Sequence, residues 1–247
     1  MRSLWKMTSI EFKLFLREPV AAFFTLAFPL MMLFIFGSIY GNEPTDFFDG
    51  RGSVDVSVPA YMAMIIGTVG LLSISITMST YREWGILRRY RATPLRPHVI
   101  LAATVLVNFA MTLLGTGLLI IAAKLVYGLR FDGNALLVLA SFVLASLSFF
   151  SLGFVIASLA PTARVAQVAG MIVFYPMLFL SGAAIPHEAM PESVRYLSRF
   201  LPLTHVVRLL QGVWFGDSLG EHLVEVVVLV GVLVVGTTIA AWTFRWE

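Results

Sequence analysis

Cysteine is absent from all 247 residues. Disulfides, thiolate metal sites and cysteine nucleophiles are thereby excluded, and no redox compartment can be read. Charge is scarce as well. Asp, Glu, Lys and Arg together make up 13% of the chain, about half the share found in soluble domains. So few charges cannot clothe a water-soluble domain of this size, but they suffice for loops when the remaining surface meets lipid. The longest apolar stretches carry none. Pumps and transporters that run on ion gradients place Asp, Glu, His or Lys within the membrane, whereas His98, His187, His205 and His222 all lie in loops or at the ends of apolar stretches. No proton relay is visible, although Na⁺ sites built from carbonyls and hydroxyls stay open. The chain also lacks H-E-x-x-H, G-x-S-x-G and any aspartate-rich metal motif, so no catalytic residue and no metal-ligand set is expected. Without G-x-x-x-x-G-K-[ST] it cannot hold ATP in a P-loop. If ATP drives it, a separate subunit must carry the nucleotide.

What the chain has in abundance is apolar length: 59% of its residues are hydrophobic and its mean hydropathy is +0.89. A helix needs about 20 mostly apolar residues to cross the hydrocarbon core. Six stretches qualify, running Val20–Tyr40, Pro59–Tyr81, Val99–Ala123, Ala135–Ala160, Val165–Ala184 and Val226–Phe244. The expected fold is all-α, a single polytopic membrane domain over 1–247 with six transmembrane helices. Pro59 suits the first turn of a helix. Pro29 and Pro176 fall inside spans and should kink them. Gly128–Asn134 is a charged turn, and Pro161 with Arg164 leaves little loop between the fourth and fifth spans.

Basic residues orient the spans. With the N-terminus cytoplasmic, Arg2, Lys6, Lys13, Arg17, Arg82, Arg88, Arg89, Arg91, Arg96, Arg164 and Arg245 lie inside, while most acidic residues lie outside. Both termini are then cytoplasmic. Residues 1–18 alternate Leu4, Trp5, Ile10, Phe12 and Phe15 with Arg2, Lys6, Lys13 and Arg17. A basic amphipathic helix of this kind lies in the membrane interface among lipid headgroups, as an anchor or as part of a docking surface. Residues 82–97 form a short arginine-rich cytoplasmic loop, in which Glu83–Arg91 can make a helix with Trp84, Leu87 and Arg91 on one face. Thr93-Pro94 ends it. As a plain topology signal such a loop is ordinary, but as a rigid surface helix it can receive force from a partner. Residues 183–221 form the longest polar interruption, on the outside. Within it Glu192–Leu201 reads as an amphipathic helix, and Leu203–Phe215, carrying Arg208 and Gln211, is too short to span and reads as re-entrant or interfacial. Inside the membrane, Ser75 and Ser79 on the second span and the stripe Asn108, Thr112, Gly115, Thr116 on the third are small or hydroxylated. Such residues usually pack helices, and a translocation cavity is the alternative use.

The cytoplasmic loop and the external segment together resemble a known family. Glu83-Trp84-Gly85-Ile86-Leu87-Arg88-Arg89-Tyr90-Arg91-Ala92-Thr93-Pro94-Leu95 is similar to the E-x-G-x-L-type run, closing in a Thr-Pro step, of the membrane (permease) subunit of type-two ATP-binding-cassette (ABC) exporters. Trp84 departs from that run, standing where a basic or polar residue is common. Ser181-Gly182, Pro186, Met190-Pro191 and Leu201-Pro202-Leu203-Thr204 resemble the family's second signature before its last span. Arg17-Glu18-Pro19 resembles its interfacial elbow helix. The resemblance implies that Glu83, Gly85, Leu87, Arg89, Thr93 and Pro94 form a coupling helix against a cytoplasmic ABC ATPase, with ATP and Mg²⁺ on that partner and no cofactor here. It implies a second permease subunit, a homodimer in the cell membrane, in contact with lipid and with no nucleic acid. The candidates for lining a translocation cavity, chosen by residue type and not by the resemblance, are Ser75, Ser79, Asn108 and Thr112. The cargo implied is apolar or amphipathic (a drug, an antibiotic or a lipid-like molecule), with a polysaccharide precursor or peptide as alternative. An ion-coupled secondary transporter, a membrane enzyme and a non-transporting scaffold are the competing readings.

Overall fold

The computed structural model of the chain describes residues 23–48, 50–87, 97–186 and 190–243. Six helical spans are long and apolar enough to cross a bilayer: Phe23–Tyr40, Ser53–Glu83, Ile100–Tyr127, Ala135–Leu159, Ala163–Leu180 and Leu223–Thr243. The fold is all-α and polytopic. Among the described residues the only strands are β1 (Pro44–Thr45) and β2 (Arg51–Gly52), a small antiparallel hairpin between the first two spans. It marks one end of the bundle, the hairpin end. The opposite, loop end carries Glu83 and Ala163. The amphipathic segment 1–18 lies outside the described residues.

A π turn, Phe23–Ala27, opens the first span, which continues as α1 (Phe28–Tyr40). Pro29 sits where the wide turn gives way to α-helix, so its missing N–H is accommodated. The second span begins at Ser53 with α2 (Ser53–Thr68), not at Pro59. The cause is remote in sequence: the Asn42 side-chain oxygen accepts hydrogen bonds from both Val54 N and Asp55 N, at 3.1 Å each. It satisfies two amides that every helix start leaves open. The helix therefore starts early, and Pro59 lies within it rather than in its first turn. A π segment, Val69–Ile74, follows, and α3 (Ser75–Glu83) completes the span.

The remaining spans are α4 (Pro97–Tyr127), α5 (Ala135–Leu159) and α6 (Ala163–Leu180), then α9 (Leu223–Thr243) after two short helices, α7 (Glu192–Ser198) and α8 (Pro202–Trp214). Asn134 caps α5 by accepting from Leu136 N, and Thr162 caps α6 by accepting from Val165 N. These caps explain why the loops before them are short. The third span runs beyond Ala123 because Lys124, at its end, folds back to donate to Leu129 O at 3.0 Å.

The second span is the hub. Its side chains are almost all buried, whereas the first, fifth and sixth spans leave most of theirs exposed or half-buried. The fourth and fifth spans approach it closely through glycine. A Cβ on Gly153 would collide with the carbonyl of Gly70, and one on Gly170 would lie 2.6 Å from that of Leu71. Both contacts fall on the π segment, and van der Waals approach of this kind is what holds helices together in lipid. The α8 helix packs against the second, fourth and sixth spans. Its Leu203, Val206, Val207, Leu209, Leu210 and Val213 are fully buried, so it is re-entrant into protein rather than laid on an interface. The outward faces carry apolar side chains such as Leu125, Ile172, Val227 and Trp242.

Candidate coupling site

At the loop end, adjacent residues of opposite charge hold the turn between the fourth and fifth spans. The Arg82 guanidinium donates to Ser158 O at 3.4 Å and to Ala160 O. Those carbonyls close the C-terminus of α5, where the helix dipole is negative and acceptors lack partners. Next to it, a Glu83 carboxylate oxygen accepts from Ala163 N at 2.9 Å. Ala163 is the first residue of α6, where the dipole is positive and free N–H groups point outward. The cation thus meets the end of one helix and the anion the start of the next. A displacement of Glu83 must drag both helices or break these bonds. The Ser158 hydroxyl also meets the Thr243 hydroxyl at 2.7 Å, linking the last span to the same corner.

The candidate coupling residues divide around a backbone reversal. Sequence spacing put Glu83 and Trp84 on the loop helix, but Glu83 is the last residue of α3. Gly85, with φ +66°, ends the helix in the left-handed region that glycine adopts freely. Gly85 N donates to Arg82 O, and helical geometry resumes at Ile86 and Leu87. Trp84 and Leu87 consequently do not share a face: Trp84 is 69% exposed and Leu87 is fully buried. Arg89, Thr93 and Pro94 lie outside the described residues. Arg82 is the side chain at this corner that sequence reasoning left out of the candidate site. Its partners are backbone carbonyls, which leave no residue-type signature, and it looked like one more basic loop residue.

The small polar residues of the membrane interior are placed between helices. Ser73 donates to the Asn108 side-chain oxygen at 3.1 Å, tying the second span to the third. Asn108 donates to Thr104 O and Thr112 to Asn108 O, along their own helix. Ser75 donates to Leu71 O within the second span. Ser79 is fully buried, and its hydroxyl has no partner among the described residues. Gly115, on the same stripe, lies against the backbone of Thr25 in the first span. Within the stripe Gly115 packs on the first span while Thr116 borders a cavity at the hairpin end, and none of Ser75, Ser79, Asn108 and Thr112 lines the cavities there.

A family model described as ABC-2 type transporter matches residues 2–215, which is most of the chain. The protein belongs to that family. Among similar proteins, Nodulation protein J of Rhizobium leguminosarum bv. viciae is 37% identical over 123 residues, covering 49% of this chain and 45% of that protein. Nodulation protein J of Rhizobium meliloti (strain 1021) is 30% identical over 202 residues, covering 78% of this chain and 74% of that protein. The inner membrane transport permease YhhJ of Escherichia coli (strain K12) is 27% identical over 155 residues, covering 61% and 41%. The chain thus spans about half the length, or less, of two of these three relatives. As a member of the ABC-2 type transporter family it is a multi-pass membrane protein, and the span count agrees. The family match includes the whole stretch from Arg82 to Ala163 that builds the clamp.

At the hairpin end the polar groups are knitted differently. Asp55, 3% exposed, accepts from Asn42 Nδ2 at 3.0 Å and from Arg130 N at 2.8 Å, and pairs with Arg130 Nε at 3.3 Å. Trp214 Nε1 donates to Arg130 O, and Gln211 donates to Val56 O. This end of the family fold is therefore locked by a satisfied network across the first loop, the second span, the third loop and α8.

Proposed function

We propose that the chain is the transmembrane subunit of an ATP-driven ABC exporter, driven by a separate ABC ATPase that docks at the loop end. The observation that carries this reading is the Arg82–Glu83 clamp. It stands immediately before the loop residues expected to meet the ATPase, and it grips the facing ends of two spans. A push on Gly85–Pro94 arrives at Glu83 and passes to the start of α6, while Arg82 holds the end of α5. The transition is then a rigid-body one, with the fourth and fifth spans moving together. ATP and Mg²⁺ belong to the partner, since this chain has no P-loop. The loop end faces the cytoplasm, as the arginines there favour, and two copies of the chain pair as a homodimer around a path between them.

The cargo is apolar or amphipathic. Spans whose middles carry no charge support that choice, as does an aromatic-lined cavity at the hairpin end of about 460 Å³. Polysaccharide precursors and peptides are outcomes of the test. The chain is solubilised from its native membrane and captured, and ATP hydrolysis is measured on the proteins that co-purify. The expected result is a stoichiometric P-loop subunit that is lost when Glu83–Thr93 is altered. A chain that purifies alone, and whose export activity disappears with the ion gradient rather than with ATP, overturns the reading in favour of a secondary transporter.

A further inference from the structure

Two cavities at the hairpin end share a wall. The first, about 460 Å³, is apolar and lined by aromatic side chains, with Tyr40, Phe47 and Phe48 on one side and Tyr61, Ile185 and Pro186 on the other. Its volume is in the range of sites that enclose small molecules. The second, about 240 Å³, is polar. Phe48, Val56 and Gln211 line both. An apolar compartment therefore opens beside a charged one, with the Gln211 side chain at the boundary.

The charged side chains of the polar compartment are not paired cation to anion. Its two carboxylates are engaged with one histidine: His222 Nε2 lies 3.0 Å from Asp217 Oδ2, and His222 Nδ1 lies 3.8 Å from Glu225 Oε2. Its two arginines have no carboxylate partner among the described residues. Arg51 sits over the Phe215 ring at 3.7 Å, and the half-buried Arg208 has no ion-pair or hydrogen-bond partner among the described residues. A partly buried guanidinium without an anion is an unfilled requirement, and its planar fork suits phosphate or carboxylate.

We infer that the hairpin end holds a binding site for one amphiphile, with its apolar chain in the aromatic cavity and its anionic, phosphate-type head on Arg208 and Arg51. A transported amphiphile and a resident anionic phospholipid share that chemistry. The site stands on its own geometry; only its membership of an export path rests on the function proposed above.

The test uses the full chain in nanodiscs of phosphatidylcholine, with a diazirine-bearing dodecyl phosphate as photoreactive probe. Labelling should concentrate on Tyr40, Phe47, Phe48 and Tyr61. Unlabelled dodecyl phosphate should compete about tenfold better than dodecyltrimethylammonium, the scale of one charge-assisted contact. Arg208→Gln should erase that preference while leaving the fold intact. Phe47→Ala, on the exposed hairpin, should lower labelling without changing the preference. Displacement of the probe by phosphatidylglycerol added to the nanodisc supports the site with a resident lipid as its occupant. Retention of the probe under phosphatidylglycerol supports it with a single-chain cargo. Labelling spread evenly over lipid-facing positions such as Leu125, Ile172 and Val227, or a preference that survives Arg208→Gln, overturns it. None of these readouts involves the ATPase, so failure here leaves the exporter reading standing, and loss of the ATPase partner leaves this site standing.

Discussion

Replacing Glu83 separates the electrostatic part of the clamp from its hydrogen bond. Its carboxylate accepts one bond, from Ala163 N at 2.9 Å, at the first residue of α6. Glu83→Gln keeps a carbonyl acceptor and removes the charge at the positive end of the helix, an effect of about 0.3–1 kcal/mol at an exposed position. Glu83→Ala removes acceptor and charge together, which for a lost helix-start partner costs about 1–2 kcal/mol. If the clamp biases the switching of the fourth and fifth spans, those energies correspond to factors of about 2–5 for Gln and 5–30 for Ala, at 1.4 kcal/mol per tenfold. The assay is ATP hydrolysis and transport by the reconstituted complex, beside thermal unfolding and membrane insertion of the isolated chain. The expected order is wild type, then Gln, then Ala, with insertion unchanged throughout. If Glu83→Ala transports as well as wild type, Glu83 only trims the helix end and the mechanical reading fails. If Gln and Ala are equally impaired, the charge carries the whole effect and the hydrogen bond none.

Other substitutions probe the same framework. Arg82→Ala leaves the last carbonyls of α5 without their charged donor and should cost about 1.5–3 kcal/mol, read as a lower unfolding midpoint and reduced coupling. Gly85→Pro should abolish coupling, because proline fixes φ near −65° where the chain needs +66°; Gly85→Asn should retain most of it, and ATPase stimulation tells the two apart. Gly153→Ala drives a methyl into the Gly70 backbone and should destabilise the bundle by about 1–3 kcal/mol, whereas Gly117→Ala, with open space at its Cβ, should be neutral or mildly stabilising in the same melting assay. Asp55→Ala strips Arg130 and Asn42 of their buried partner and should cost about 3 kcal/mol, measured as lost yield and a lower melting temperature.

Much of the architecture was legible because lipid imposes a simple rule: a spanning helix must be long and charge-free. The six spans, the short turn at Pro161 and the failure of Leu203–Phe215 to span follow from it. The start of the second span was not legible, since Asn42 caps it from a preceding loop and no local residue announces it. Glu83 and Gly85 were picked out by resemblance, yet their separation by a helix end was hidden. A positive φ at Gly85 cannot be told by periodicity from a glycine tolerated inside a helix. Arg82 was invisible as a clamp because it binds backbone, which is the same at every position. Asn108 and Thr112 were read both as packing and as cavity groups, because residue type and spacing are the same for those uses. The two-compartment cavity was beyond reach, since its walls come from segments more than a hundred residues apart.

The π segment Val69–Ile74 has an angular consequence. A π turn is a helix carrying one residue more than its α register. Everything after it, including Arg82 and Glu83, is turned about the span's axis relative to a plain helix by about 100°, the step of one residue. Ironing the segment into unbroken α-helix with every residue kept would swing the clamp away from the corner it grips, whereas deleting one residue along with the π turn would leave it in place. In the ironed span the whole lower half would present the wrong side to α5 and α6, with every side chain of the site still in the chain. The wide turn sets the compass bearing of the loop end.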